Sequence, residues 1–306
     1  MTTLGVLMMA YGTPRSLDEV EAYYTDIRRG RKPSPEQLAD LVRRYQAIGG
    51  VSPLREITER QAEGVGRILN ASGTATYRVY LGMKHTEPRI HEAVKAMRRD
   101  GIERAIALVL APHYSAMSVE TYHEQARAAA RDGGPTLHCV NEWHLEPRFL
   151  DVLAARVDEA IRSCEHPDEA MVIFTAHSLP ARILEMGDPY VDQLRASGDA
   201  IAKRLHLKHY TFGWQSAGRT AEPWLGPDVL ELLESLAKEG YREVVVCSQG
   251  FVADHLEVLY DIDIEARQRA EELGMRLVRT RQMNDDPDFL RAVADVIERA
   301  KRDAGW

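Results

Sequence analysis

The chain has 306 residues, 44% hydrophobic and 28% charged, with 39 Lys and Arg against 47 Asp and Glu, a net charge of −8. That length suggests about two domains and buries a real core in an ordinary globular composition, which excludes disordered, fibrous, secreted and membrane-spanning classes; with no overall positive field to release phosphate counterions, a generic nucleic-acid binder is excluded too. Three scattered cysteines (Cys139, Cys164, Cys247) make neither a disulfide framework nor a CxxC metal knuckle and favour a reducing cytoplasm, no apolar run approaches a bilayer span, and the N-terminus shows no signal-peptide pattern.

Short apolar runs predict strands near residues 5–9, 77–83, 105–111 and 137–142, and a second set near 171–175, 210–213, 243–247 and 277–280. The segments between them have helical periodicity. In 289–301, for example, Leu290, Val293, Ile297 and Ala300 form one stripe behind the turn residues Asp286-Pro287. Continuously apolar strands alternating with helices imply parallel sheets built from βαβ units. The two sets echo each other. Leu7-Met8-Met9-Ala10-Tyr11-Gly12-Thr13-Pro14 aligns with Ile173-Phe174-Thr175-Ala176-His177-Ser178-Leu179-Pro180, and Leu81-Gly82-Met83-Lys84 with Phe212-Gly213-Trp214-Gln215. Two echoes in the same order indicate a duplicated α/β unit.

In open parallel sheets, ligands sit beyond the carboxyl ends of the strands. Tyr11 and His177 each fall just past the first strand of their half. Alone, one reads as a core aromatic and the other as a satisfied loop histidine. Their equivalent placement argues for function, on opposite walls of a cleft if the sheets face one another.

The halves differ in length after this point: Pro14 is followed by about twice as many residues before the next strand as Pro180 is. The extra segment, about 21–55, is basic. From Arg28 to Arg55 it holds Arg28, Arg29, Arg31, Lys32, Arg43, Arg44 and Arg55 against only Glu36 and Asp40, and 7 − 2 gives a local +5. It is either a solvated helical face or a lid whose guanidinium forks bind a polyanionic small molecule.

Farther on, Glu257, Asp261 and Glu265 are spaced i, i+4, i+8 and share one face of an expected α-helix. Such like-charge pairs cost a few tenths of a kcal/mol each, and no Lys or Arg precedes Arg267 to relieve them. The row is a cation site or an acidic surface of an acidic protein. His177 with Glu257 makes a borderline-to-hard ligand pair suited to Fe2+, Zn2+, Co2+ or Mn2+. Two ligands are too few for a closed structural site and suit one that holds a metal briefly; both also accept protons near neutral pH. No GxGxxG turn, P-loop or GxSxG elbow is present, and Ser178 beside His177 does not make a triad.

Several stretches carry a family resemblance. They are Met9-Ala10-Tyr11-Gly12-Thr13-Pro14, Tyr23-Tyr24-Thr25-Asp26-Ile27-Arg28-Arg29-Gly30, Arg44-Tyr45-Gln46-Ala47-Ile48-Gly49-Gly50-Val51-Ser52-Pro53-Leu54 and Ala111-Pro112-His113-Tyr114-Ser115 in the first half. In the second they are Thr175-Ala176-His177-Ser178-Leu179-Pro180, Gly213-Trp214-Gln215-Ser216 with Trp224-Leu225-Gly226-Pro227, and Gly250-Phe251-Val252-Ala253-Asp254-His255-Leu256-Glu257. Over essentially its whole length the chain resembles the ferrochelatases, and most of all the short coproporphyrin ferrochelatases of Gram-positive-type bacteria. The resemblance implies insertion of Fe2+ into coproporphyrin III, giving coproheme in haem biosynthesis. It implies two Rossmann-like domains with parallel sheets facing a central cleft: residues 1–145 with a returning C-terminal helix at 287–306, and residues 146–286. His177 and Glu257 would be the metal-handling pair and Tyr11 the axial oxygen ligand of the product iron, a residue that points to the coproporphyrin branch. Arg28, Arg44, Tyr45, Ser52 and Tyr122 would contact the porphyrin, chiefly its propionates. Asp261 and Glu265 would form an outer site for a divalent cation such as Mg2+.

Fe2+ is then a substrate and no cofactor is required. No iron–sulfur cluster is expected, since the C-terminal cysteines of some relatives are absent. The tail Arg302-Asp303-Ala304-Gly305-Trp306 has no anchoring run, and a cytoplasmic monomer passing coproheme to an acceptor is expected. One departure is Cys247-Ser248-Gln249, where relatives carry more apolar residues or Pro, which bears on local strand geometry. The alternatives are a protoporphyrin IX ferrochelatase, a cobalt or nickel chelatase, a haem-binding or haem-delivery protein without catalysis, and a polyanion-binding module.

Overall fold

Each apolar run forms a strand ending within two residues of its predicted limits. The computed structural model describes residues 3–306 except Ser72, Thr74 and Arg219. The strands are β1 (Thr3–Ala10), β2 (Thr76–Met83), β3 (Arg104–Val109), β4 (Thr136–Val140), β5 (Met171–His177), β6 (Tyr210–Gln215), β7 (Glu243–Cys247) and β8 (Arg276–Arg279). They make two four-stranded sheets of orders β2-β1-β3-β4 and β6-β5-β7-β8, with every pairing parallel. The central strands β1 and β5 are buried along almost their whole length, which is why they read as unbroken apolar runs.

The duplication extends to register. Met9 pairs with Gly82 in the first sheet, and their sequence equivalents Thr175 and Gly213 pair in the second.

Ten α-helices connect the strands among the described residues: α1 (Val20–Ile27), α2 (Pro35–Ala47), α3 (Leu54–Ala71), α4 (Ile90–Arg99), α5 (Val119–Ala130), α6 (Pro147–Arg162), α7 (Tyr190–Leu205), α8 (Val229–Glu239), α9 (Arg267–Glu272) and α10 (Pro287–Asp303). Two compact units result, Met1–Trp143 with Asn284–Trp306, and His144–Met283.

In the first unit, Leu7, Met9, Ala107 and Val109 pack under Ile90, Val94 and Met97 of α4 and Val119 and Tyr122 of α5. On α10, Phe289, Val293 and Ile297 are fully buried. Its Glu298 accepts from the Tyr77 hydroxyl at 2.6 Å, and Arg60 of α3 pairs with Asp285 ahead of it at 2.8 Å. In the second unit, Ile173, Val244 and Val246 pack with Leu232, Leu233 and Leu236 of α8. The basic insert comprises α1, a turn and α2. Ser34 and Gln37 form a reciprocal capping box that starts α2 at Pro35.

The expected α-helix through the acidic row is overturned. Val258–Ala266 winds as a π-helix.

Candidate active site

In the second unit, His177 is the last residue of β5 and therefore sits at the carboxyl edge of its sheet. Its Nδ1 donates to the Ser178 carbonyl, which orients the ring and turns Nε2 toward Glu257, where Nε2 lies 3.6 Å from Oε1. The Tyr190 hydroxyl donates to the His177 carbonyl at 3.0 Å. The other oxygen of Glu257 lies 3.5 Å from His255 Nε2, so two imidazoles flank one carboxylate. Burial works against charge on both partners. The Glu257 carboxylate and the Ser178 carbonyl outweigh it at His177 and push the imidazole up to about 9. The His177 and His255 imidazoles outweigh it at Glu257 and hold that carboxyl well below the usual range. At neutral pH the pair therefore rests as imidazolium and carboxylate.

A buried polar layer underlies it. Gln215 Oε1 lies 2.9 Å from Thr175 Oγ1 and 3.4 Å from Ser248 Oγ, and Gln215 Nε2 donates to the Glu257 carbonyl at 3.3 Å. Gln249 Oε1 accepts from Ser197 at 3.0 Å. Ser248 and Gln249 are thus satisfied inside the core, and β7 runs regularly through Cys247 despite their polarity. Asp261 is buried and accepts from the Ser216 hydroxyl, while Glu265 is half-buried farther along the π-helix. Among the described residues no three His, Cys, Asp or Glu side chains converge as a metal-ligand group.

In the first unit, Tyr11 follows β1 directly. It is 40% exposed, an unusual state for an aromatic flanked by a buried strand. Gly12 has φ +89°, and a Cβ there would meet Thr86 Oγ1 at 2.3 Å, so only glycine permits this turn. The insert grips the same turn: Tyr23 donates to the Gly12 carbonyl at 3.1 Å, and the Tyr45 and Thr13 hydroxyls are 3.3 Å apart.

Tyr45 and Ser52 are buried, and the Ser52 hydroxyl accepts from the Leu54 amide at the start of α3. Arg44 shares Asp40 with Arg43. Arg28 lies over the Tyr24 ring at 5.6 Å; it, Arg29 and Arg31 pair with no carboxylate among the described residues. Tyr122 is buried under the Lys84 ammonium, 4.7 Å from its ring centroid. Burial, with Arg29 adding to it, lowers Lys84 to about 8.

Sequence reasoning missed Lys84, His85, His255 and Gln215. Lys84 and His85 directly follow β2 and Gln215 ends β6, so the strand-end rule that singled out Tyr11 and His177 applied to them as well.

The same architecture recurs in SirB from Bacillus subtilis with Fe3+ (TM-score 0.61, 10% identity, covering 100% of this chain and 98% of that one). It recurs also in the sirohydrochlorin chelatase SirB of Bacillus subtilis subspecies spizizenii with cobalt (TM-score 0.57, 13% identity, covering 99% and 97%). At such identities the likeness shows the fold alone. The chain is 48% identical over 303 residues to coproporphyrin III ferrochelatase 2 of Bacillus anthracis, covering 98% of this chain and 95% of that one. It is 50% identical over 299 residues to the coproporphyrin III ferrochelatase of Anoxybacillus flavithermus, covering 96% and 95%. Relatives of this identity and coverage define the chain as an enzyme of the metal-chelatase type. The ferrochelatase family model matches residues 3–301, and the chain belongs to that family, for which Fe2+ is a substrate.

Proposed function

We propose that the chain inserts Fe2+ into coproporphyrin III, releasing two protons and giving coproheme. The His177–Glu257 pair carries this reading, because metal entry requires a group that takes protons from the pyrrole nitrogens. At rest the pair already holds one proton. Glu257 is its vacant acceptor, and His177 accepts only after passing its own proton on.

Arg28, with its unpaired neighbours Arg29 and Arg31, and Arg44 bind propionates; coproporphyrin has four, a match for the +5 segment. Tyr45, Ser52 and Tyr122 shape that surface. Gripping the propionates holds the ring buckled, with remote binding energy opposing the strain. Tyr11 is the oxygen ligand of the product iron. Asp261 and Glu265 attract the incoming cation or hold Mg2+. We read the chain as a cytoplasmic monomer without an iron–sulfur cluster that hands coproheme to an acceptor. No helix among the described residues is long and apolar enough to cross a membrane.

Anaerobic mixing with Fe2+ and either coproporphyrin III or protoporphyrin IX, followed by absorption, tests this. Multiple turnovers on coproporphyrin with little on protoporphyrin are expected, and His177→Ala abolishes insertion while porphyrin still binds. Preference for protoporphyrin overturns the substrate assignment. Binding without insertion on either porphyrin makes the chain a carrier.

A further inference from the structure

Tyr11 is flanked by His85 and Tyr23, and His85, with the Asp26 behind it, has been given no role above. Its ring centroid lies 4.5 Å from that of His85, the planes at 57°, and 6.5 Å from that of Tyr23, edge-on at 82°. His85 is itself fixed: its Nδ1 donates to Asp26 Oδ2 at 2.7 Å. Both Asp26 oxygens accept from Arg89, Oδ1 from Nη2 at 2.9 Å and Oδ2 from Nη1 at 3.0 Å, and Arg89 Nη1 also donates to the Lys84 carbonyl at 2.8 Å. The loop carrying His85 is clamped to the end of β1 by Lys84 N to Ala10 O at 2.9 Å and His85 N to Tyr11 O at 3.0 Å.

An exposed tyrosine ring ordinarily samples several rotamers. This one has an imidazole and a second phenol ring beside it, and the residue after it is in a turn that only glycine allows. The cost of ordering a solvent-facing ring is met by half-buried groups that are themselves held in place.

The origin of Asp26 matters as well. Tyr23 and Asp26 are i, i+3 on α1, so one helix face reaches Tyr11 both directly and through His85. Arg28 caps the same helix two residues on. The helix that presents a propionate-binding guanidinium thus also sets the phenol that meets the metal.

We propose that Asp26 and His85 are positioning residues for Tyr11, fixing the phenol relative to Arg28 so that the iron of a porphyrin held by its propionates meets the oxygen. This rests on the reading of Tyr11 as ligand to the product iron. Orientation of this kind is worth a large factor in rate, since a displacement of about 1 Å costs on the order of a hundredfold.

The test adds ferric iron–coproporphyrin III to the full chain and to Tyr11→Phe, Asp26→Asn and His85→Ala, recording the visible charge-transfer band of an iron–tyrosine oxygen bond. The wild type gives the band and Tyr11→Phe abolishes it. Asp26→Asn and His85→Ala shift or broaden it. Both lower kcat by on the order of tenfold, with KM and porphyrin affinity within about threefold of wild type. A wild type lacking the band, or a band that survives Tyr11→Phe, sinks the ligand reading itself. A band lost in Tyr11→Phe but unchanged in Asp26→Asn or His85→Ala overturns the proposal for that residue. Asp26 is 35% exposed and Asn matches its shape, so this variant decides the question if His85→Ala does not fold.

Discussion

Burial by itself would strip the proton from His177, and the neighbouring Glu257 carboxylate is the largest influence that keeps it there. Glu257→Gln removes that charge while keeping the shape. The His177 titration, followed by NMR in the metal-free protein, should then fall from about 9 to its ordinary 6.5 or below. A midpoint near 6.5 in both proteins would show that the two side chains are not coupled. The sign for stability follows from the same shifts. A raised imidazole stabilises the fold fully below 6.5 and loses that contribution as pH rises through 9, whereas a depressed carboxyl stabilises above 4.5 and loses its contribution as pH falls. The contribution of the pair is therefore complete between those two ordinary values. The two partners lie 80 positions apart in the chain, and local sequence carries no trace of their contact; the equivalence of His177 with Tyr11 at two strand ends is the signal that points to the first partner.

Among the elements, α2 carries Arg44 and Tyr45 and starts at a capping box. Ser34→Ala leaves an amide of its first turn without an acceptor and should cost about 1 kcal/mol, read as a lower melting temperature, with weaker porphyrin binding because Arg44 and Tyr45 share the helix. A melting temperature unchanged within error would mean that α2 is held by packing alone. The helix after Glu257 shows how spacing misleads. Its acidic residues recur every four positions, and an α-helix was the natural reading. The segment meets partners from elsewhere: Gln215 at the Glu257 carbonyl, Ser216 at Asp261, and Arg279 bridging Asp254 at 3.2 Å and Asp263 at 2.8 Å. None of these bonds lies within the helix. The strands behaved oppositely, because a strand buried on both faces must be apolar throughout, and that demand is visible in a run of five to eight residues.

In the molecule taken whole, the last helix belongs to the first unit. Phe289 is fully buried and its ring lies 6.2 Å from that of Trp143. Phe289→Ala should cost about 3–5 kcal/mol, measured by denaturant unfolding. A loss below about 1 kcal/mol would mean that the helix is only an appendage. The sequence by itself determined the parallel α/β class, the doubling of the unit, the basic segment and the residues at the first strand end of each half, because these depend on periodicity and local charge. Only the tertiary structure decided that His255 joins the His177–Glu257 pair, that Gln215 ties β5 and β6 to the π-helix, that the Ser52 hydroxyl serves a helix start, and that Asp26 and His85 stand behind Tyr11. Each of these is a directional contact between segments distant in the chain or a burial of a polar group, and the energy of such contacts depends on geometry that residue identity does not carry.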